Sequence, residues 1–423
     1  MRRIATASAL VTLCTTFVFA ADWPQYRGPQ GDGICAGNAK LALPASADKV
    51  VWKIETRNGF SSFAVANGIA YTQVNRDVNG GPREMLVALD AKTGKELWAA
   101  DMGIGTYDGG GDDGAPNNDG GDGPRSTPTI DGGKVYVYNQ SLVLSCFDAK
   151  TGKLLWSRDV TKEHAGQNIG WKSAMSPVID GDLLFVGGGG PGQSMLGLNK
   201  ATGAVVWKAH DEMITHATPV VATIQGVRQV IFFMQSGLVA VAPKDGALLW
   251  RFPMKYNVST AASPVVDGDI VYCSVGYGVG GAACRLLKED GKLKPVDLYR
   301  IPGDKQIANH WSTPVLYNGH LYGMFSFKKY GTGPLKCVDI ATGKVRWEKN
   351  GFGAGNVILV GNTVVALSDD GQVVLVEATP AAYKELGRLK VLEGKCWSTP
   401  AIADGRLYVR STKEGACLDL TGK

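Results

Sequence analysis

The sequence predicts an all-β fold, an eight-bladed β-propeller of four-stranded antiparallel blades. Three observations lead to it. A string of the form Asp-x-x-Thr-Gly, followed by a strand ending in Trp, recurs along the chain. A second string, centred on Asp-Gly or Asn-Gly between alternating apolar residues, recurs between its copies. Gly makes up 56 of 423 residues, nearly twice the average usage of ~7% and suited to many tight turns.

Taken in chain order, residues 1–20 place Arg2 and Arg3 before a short apolar run ending in Val18-Phe19-Ala20, with small residues where a signal peptidase reads. This predicts a cleaved signal peptide over 1–20, export to the periplasm or the medium, and one propeller domain over 21–423. A lipoprotein reading through Cys14 is set aside because Leu13 stands where a small residue is needed. No later stretch reaches the roughly 18 apolar residues of a transmembrane helix.

The first string appears as DAKTGKELW (90–98), DAKTGKLLW (148–156), NKATGAVVW (199–207), PKDGALLW (243–250) and DIATGKVRW (339–347). An apolar strand meets the turn, Asp and Thr can bond the local backbone, and Gly takes the left-handed conformation. The second string begins at Ser126, Met175, Ala262, Ser312 and Ser398, is stretched from Ala217, and is degenerate from Ser62 and Val357. Alternation on both sides of Asp-Gly makes it an antiparallel hairpin. Each period is therefore a four-stranded meander, the signature of a propeller blade.

The Trp positions count the blades. Trp98, Trp156, Trp207, Trp250 and Trp347 close five units, and Tyr299 and Leu389 are read as their equivalents in two weaker ones. The last unit ends at CLDLTGK with no strand after the turn, whereas KVVWKIE around Trp52 is an orphan strand near the start. Placing Trp52 as the outer strand of the last blade closes a ring of eight.

Net charge is +5, about +3 without Arg2 and Arg3, with 20% charged and 44% hydrophobic residues. That balance is ordinary for a globular protein and does not suggest nucleic acid as a partner. Without Cys14 seven cysteines remain, so at least one lacks an intramolecular disulfide partner. Cys273 with Cys284, or Cys396 with Cys417, could link neighbouring strands. No CxxC metal spacing occurs.

The DAxTGxxxW turn and strand resemble the pyrroloquinoline quinone (PQQ) repeat of quinoprotein alcohol dehydrogenase-like propellers. The opening DWPQYRGPQGDGI, with GPRSTPTIDGGKVY, VVATIQGVRQVIFF and GKCWSTPAIADGRLYVR, is most similar to secreted PQQ-like repeat proteins of planctomycete and related bacteria. These are related to BamB, the propeller subunit of the outer-membrane β-barrel assembly machinery. The resemblance implies the fold but not one activity, because members range from dehydrogenases to cofactor-free scaffolds.

A meander puts the A–B and C–D turns on one face of the ring and the B–C and D–A connections on the other. The turns are nearly uniform. The connections vary: Trp98 to Pro128 is 30 residues, Trp156 to Pro177 is 21 and Trp207 to Pro219 is 12. Variable loops on a rigid scaffold are where binding resides. The residue three before each strand-A proline, or its equivalent, should face the central funnel there: Ser61, Arg125, Ala174, His216, Ala261, Trp311, Ala354 and Trp397, with His310 beside Trp311. Arg125, His216, His310, Trp311 and Trp397 form a candidate pocket for an anionic or planar ligand, or else plug the channel and bond to backbone.

A PQQ dehydrogenase, by the resemblance, would hold Ca²⁺ on carboxylate and amide oxygens against the quinone, with a catalytic Asp and in many members adjacent cysteines. No Cys-Cys pair occurs and none of the funnel positions is acidic, which leaves Glu377 or a loop Asp to reach inward. The loop from Tyr107 to Arg125 offers Asp108, Asp112 and Asp119 as oxygen ligands of the type calcium takes, although its spacing fits no EF-hand. The Gly-rich strings at 187–193 and 276–281 read as B–C turns, since no helix follows to hold an anion. The five histidines are too dispersed to define a metal site.

The first expectation is an exported binding or scaffold propeller whose variable face takes a protein or extracellular ligand, without catalysis. The alternative is a PQQ- and calcium-dependent dehydrogenase of alcohols, including polymeric ones.

Overall fold

The repeated turn is built by one side-chain oxygen. Asp148 Oδ1 accepts from the backbone N–H of Lys150 (3.1 Å) and Thr151 (2.8 Å) and from Thr151 Oγ1 (2.7 Å), and Asp90, Asn199 and Asp339 make the same three bonds. Gly152 then turns the chain at φ +70°. The Trp of the preceding blade lies on this Gly: a Cβ there would come within 2.5 Å of the Trp98 ring. Trp98 Nε1 donates to Ala149 O (3.2 Å), Trp156 to Lys200 O (3.3 Å), Trp207 to Pro243 O (2.7 Å) and Trp347 to Thr379 O (2.8 Å). The string is therefore a joint between blades.

The computed structural model describes residues 22–37, 40–107, 123–258, 260–325 and 333–422. The expected signal peptide, 1–20, lies outside them. Eight sheets follow the meander order, and the strand Trp52–Glu55 pairs antiparallel with Glu414–Asp419 as the outermost strand of the last blade. The innermost strands A of adjacent blades touch round the centre. Blade 7 carries a fifth strand, Ile34–Cys35, parallel to its strand A, Asn356–Val360. No helix among the described residues is long and apolar enough to cross a membrane.

One expectation is corrected in blade 7. Its counterpart of the Trp is Gly387, paired with Leu375, and not Leu389. The other blades keep a small residue opposite the ring, such as Ala88, Cys146, Gly197 or Cys337. Here the sizes are exchanged, Leu375 opposite a Gly, and Leu43 covers Gly387.

The Ser/Thr-Pro of the second string has its own role. Thr399 N donates to Ser62 Oγ (2.9 Å), Ser62 N to Thr127 Oγ1 (3.1 Å), Thr127 N to Ser176 Oγ (2.9 Å) and Ser176 N to Thr218 Oγ1 (3.0 Å). Ser263 N donates to Thr313 Oγ1 (2.9 Å) and Ser263 Oγ to Thr218 O (2.8 Å). This hydroxyl girdle satisfies inward N–H groups that have no strand partner. Arg410 of the last blade, buried, donates to Gln73 O (2.8 Å) and Thr72 Oγ1 (2.8 Å) of blade 1 and to Arg57 O (2.9 Å).

Neither disulfide that the sequence left open, Cys273 with Cys284 or Cys396 with Cys417, is formed. All seven described cysteines are buried, and none is in a disulfide with another described cysteine. Cys146, Cys337 and Cys417 are the small residues between a strand-B Tyr and a strand-D Trp, serving as compact apolar filler. Cys273 and Cys284 sit diagonally, opposite Ala282 and Val271 respectively. Burial pushes Cys146 and Cys337 up to about 11 and Cys284 and Cys417 up to about 12. These seven thiols are expected to stay silent to Ellman's reagent at pH 8 in the native protein and all to titrate in denaturant; a shortfall of two after unfolding would mark a disulfide.

Candidate functional site

Strand A of each blade starts at the variable face, and the residues just before it meet round the mouth of the channel. Arg125, Ala174, His216, Ala261, Trp311 and Trp397 all line one pocket there. The blade 1 member is Phe60, not Ser61. Ala64 pairs with Tyr71 as Thr129 pairs with Tyr136, so position 60 matches 125; without a proline to anchor it, the degenerate repeat was aligned one residue late. Ser61 is fully buried and bonds to Gln73 N (3.1 Å). Ala354 stands behind the wall, its carbonyl taking Trp311 Nε1 (3.1 Å).

Aromatic rings form one side of the pocket. Trp311 and Trp397 lie 4.4 Å apart between centroids, and Phe60 stacks on Trp397 at 5.1 Å. His310 does not line the pocket. It is fully buried, with Trp311 edge-on at 5.6 Å and Tyr277 at 4.6 Å, and Gly276 must be Gly because a Cβ would reach 2.1 Å from the imidazole. Tyr277 itself, in the 276–281 connection, joins the lining.

The other side is cationic. Arg125 donates to Trp171 O (2.7 Å) and its guanidinium lies 5.9 Å from the Phe60 centroid and 5.3 Å from that of Tyr107. Trp171 and Lys172 both have positive φ, 64° and 62°, a conformation costing a non-Gly residue roughly 1 kcal/mol or more. Lys395, buried, places Nζ 4.7 Å over Trp397. Behind Tyr107, whose hydroxyl donates to Glu84 Oε1 (3.1 Å), the buried Glu84 carboxyl is pushed up to about 7 by desolvation. His216 is pushed down to about 3, chiefly by burial and then by Arg125, so it is neutral at physiological pH. Its ring faces the carbonyls of Gly170 and Lys172, and Trp397 Nε1 has no hydrogen-bond partner among the described residues.

The cavity measures about 130 Å³, close to the ~150 Å³ that accommodates one benzene ring. Tyr26 forms part of its boundary. Phe60, Trp171, Tyr277, Lys395 and Tyr26 were missed in the sequence; Tyr26 had a signal, standing in the WPQYRGPQ segment.

A flat carboxylated ring suits Arg125 and the indoles. A calcium ion beside it is less well served: none of the lining residues is Asp or Glu, and Ser62, Ser176 and Thr218 already serve the girdle. No group of three His, Cys, Asp or Glu among the described residues could hold a metal ion. Asp108, Asp112 and Asp119 lie outside the described residues. Glu377 does not reach inward: it takes the turn position of Asp148 and pairs with Lys384 (2.5 Å) on the opposite face.

The family described as outer membrane protein assembly factor BamB matches residues 82–293 and 331–422. BamB of Moranella endobia is 24% identical over 278 residues, 62% of this chain and 67% of that protein. The quinoprotein alcohol dehydrogenase PedH of Pseudomonas putida is 27% identical over 194 residues, 43% of this chain and 29% of that protein. The crystal structure of BamB from Moraxella catarrhalis shares the fold, with a TM-score of 0.60 at 16% identity over 89% of this chain and 98% of that one. Matched over more than half its length, the chain belongs to the PQQ-repeat propeller family described as outer membrane protein assembly factor BamB.

Proposed function

We propose that the protein is an exported binding propeller that acts through its variable face, and that the Phe60–Trp397–Trp311 pocket beside Arg125 holds a ring-bearing, negatively charged group of its ligand or partner. The observation that carries this reading is the convergence of rings and a cation from separate blades on one mouth. The Trp397 indole N–H, which has no hydrogen-bond partner among the described residues, adds to it, since such a group costs about 1–3 kcal/mol when left unmet. The relatives named as assembly factors favour a binding role, and the N-terminal sequence favours export.

Benzoate, one ring with one carboxylate, is a direct probe. Its binding should saturate at the order of millimolar, as few atoms contribute, and weaken about tenfold in Arg125→Ala and in Trp397→Ala, a loss of one such contact. Isothermal titration showing no saturation, or no change in either variant, would remove this reading.

The second reading, a PQQ- and calcium-dependent alcohol dehydrogenase, is favoured by the likeness to PedH. When bound, the quinone would supply the redox chemistry; Arg125 and the indoles would orient its carboxylates and rings. Incubation with PQQ and Ca²⁺ followed by gel filtration separates the readings. Retained quinone absorbance with dye reduction by alcohols supports the dehydrogenase, and loss of quinone at micromolar concentrations rejects it.

A further inference from the structure

Residues 22–35 cross the propeller on the side of the A–B turns and are tied down at both ends. Trp23 exchanges two backbone hydrogen bonds with Val65 of blade 1 (2.7 and 2.8 Å), and Pro24 O accepts from Ile130 N of blade 2 (2.7 Å). Arg27, 2% exposed, donates to the carbonyls of Thr313 (2.7 Å) and Pro314 (2.8 Å) in blade 6. Gly33 O then accepts from Leu359 N (2.8 Å) in blade 7 before Ile34 and Cys35 join that blade. Blades 3, 4 and 5 face the segment across a second cavity of about 60 Å³, bordered by Gln25, Pro177, Val220 and Ser263. Tyr26 borders both this cavity and the aromatic pocket above it.

We infer that this segment is the floor of the ligand site and that Tyr26 sets its depth, admitting one six-membered ring with an anionic group and excluding a fused two-ring ligand. The inference rests on the pocket being a binding site. Its physical basis is the partition itself. The space above Tyr26 matches a single ring, and Tyr26, with Thr218 of the wall, borders both that space and the one below it. A propeller channel open at both ends would impose no such limit. The anchors on either side, Trp23 and Arg27, fix the backbone that carries the ring.

Benzoate and 2-naphthoate, each with one carboxylate, test this by titration of the full chain and of Tyr26→Ala, Tyr26→Trp and Trp397→Ala. In Tyr26→Ala the affinity for 2-naphthoate should rise about tenfold relative to benzoate, as the second ring becomes buried. In Tyr26→Trp benzoate should weaken about fivefold, as an overfilled floor intrudes on the ring. An unchanged ratio in Tyr26→Ala, with binding still lost in Trp397→Ala, overturns the floor and leaves the pocket reading standing. Absence of saturable, Trp397-dependent binding of either probe overturns both. Should Tyr26→Ala fail to fold, Tyr26→Leu, which keeps apolar bulk without the ring, is read by the same ratio.

Discussion

Trp52→Ala is expected to destabilise the protein by about 3–5 kcal/mol, the range for truncating a buried large aromatic. The indole is 6% exposed, meets Phe63 edge-on at 6.2 Å and Tyr408 at 6.0 Å, and donates to Ala91 O (3.1 Å). It also lies on Gly94, where a Cβ would approach within 2.9 Å, so it joins the last blade to the first as Trp98 joins blades 1 and 2. Its strand is the only one in its blade supplied from the other end of the chain, and a loss of this size is a large share of the 5–15 kcal/mol that holds a typical protein folded. Urea unfolding is the measurement. Trp52→Phe should lose only about 1 kcal/mol, the net worth of the hydrogen bond; equal midpoints for Trp52→Ala and wild type would show that the ring closes without it.

Glu84→Gln is expected to stabilise, and only above acid pH. Burial raises the Glu84 carboxyl from 4.5 to about 7, against the opposing influence of Tyr107, Gln140 and Arg125. Because the folded state resists ionisation that the unfolded state undergoes freely, wild-type stability is whole below pH 4.5, declines between 4.5 and 7, and is level above 7. A shift of this size corresponds to about 3 kcal/mol, and the group is 1% exposed, so screening reduces it little. The Gln variant should thus exceed wild type by up to that amount at pH 8 and match it at pH 4. Denaturation midpoints across that range check it; a variant less stable at pH 8 would mean that the ionised carboxylate is the form the Tyr107–Arg125 cluster needs.

Where a rule repeats, the sequence was legible. The Asp-x-x-Thr-Gly turn is satisfied within five residues and its Trp packs on its own blade and bonds to the next, so each copy carries its own structural meaning. Trp52 could be placed in the last blade because a Trp strand without a turn and a turn without a Trp strand complete each other. Degenerate copies misled: with no proline before blade 1 the funnel position moved from Phe60 to Ser61, and with Leu375 and Gly387 exchanging size the Trp position moved to Leu389. Glu377 looked free to reach inward because its turn lacks the Thr-Gly that would have marked it as the counterpart of Asp148.

The sequence by itself determined the all-β class, the number of blades, the closing strand and the face on which variable connections gather, because each follows from contacts that recur at a fixed spacing. The repeat spacing also set Arg125, His216, Trp311 and Trp397 at one mouth; only the tertiary structure decided the rest of the pocket, bringing Phe60, Trp171 and Tyr277 to it from other connections and Tyr26 from a segment that belongs to no repeat. Such positions meet through the curvature of the closed ring, and no local spacing along the chain records that distance.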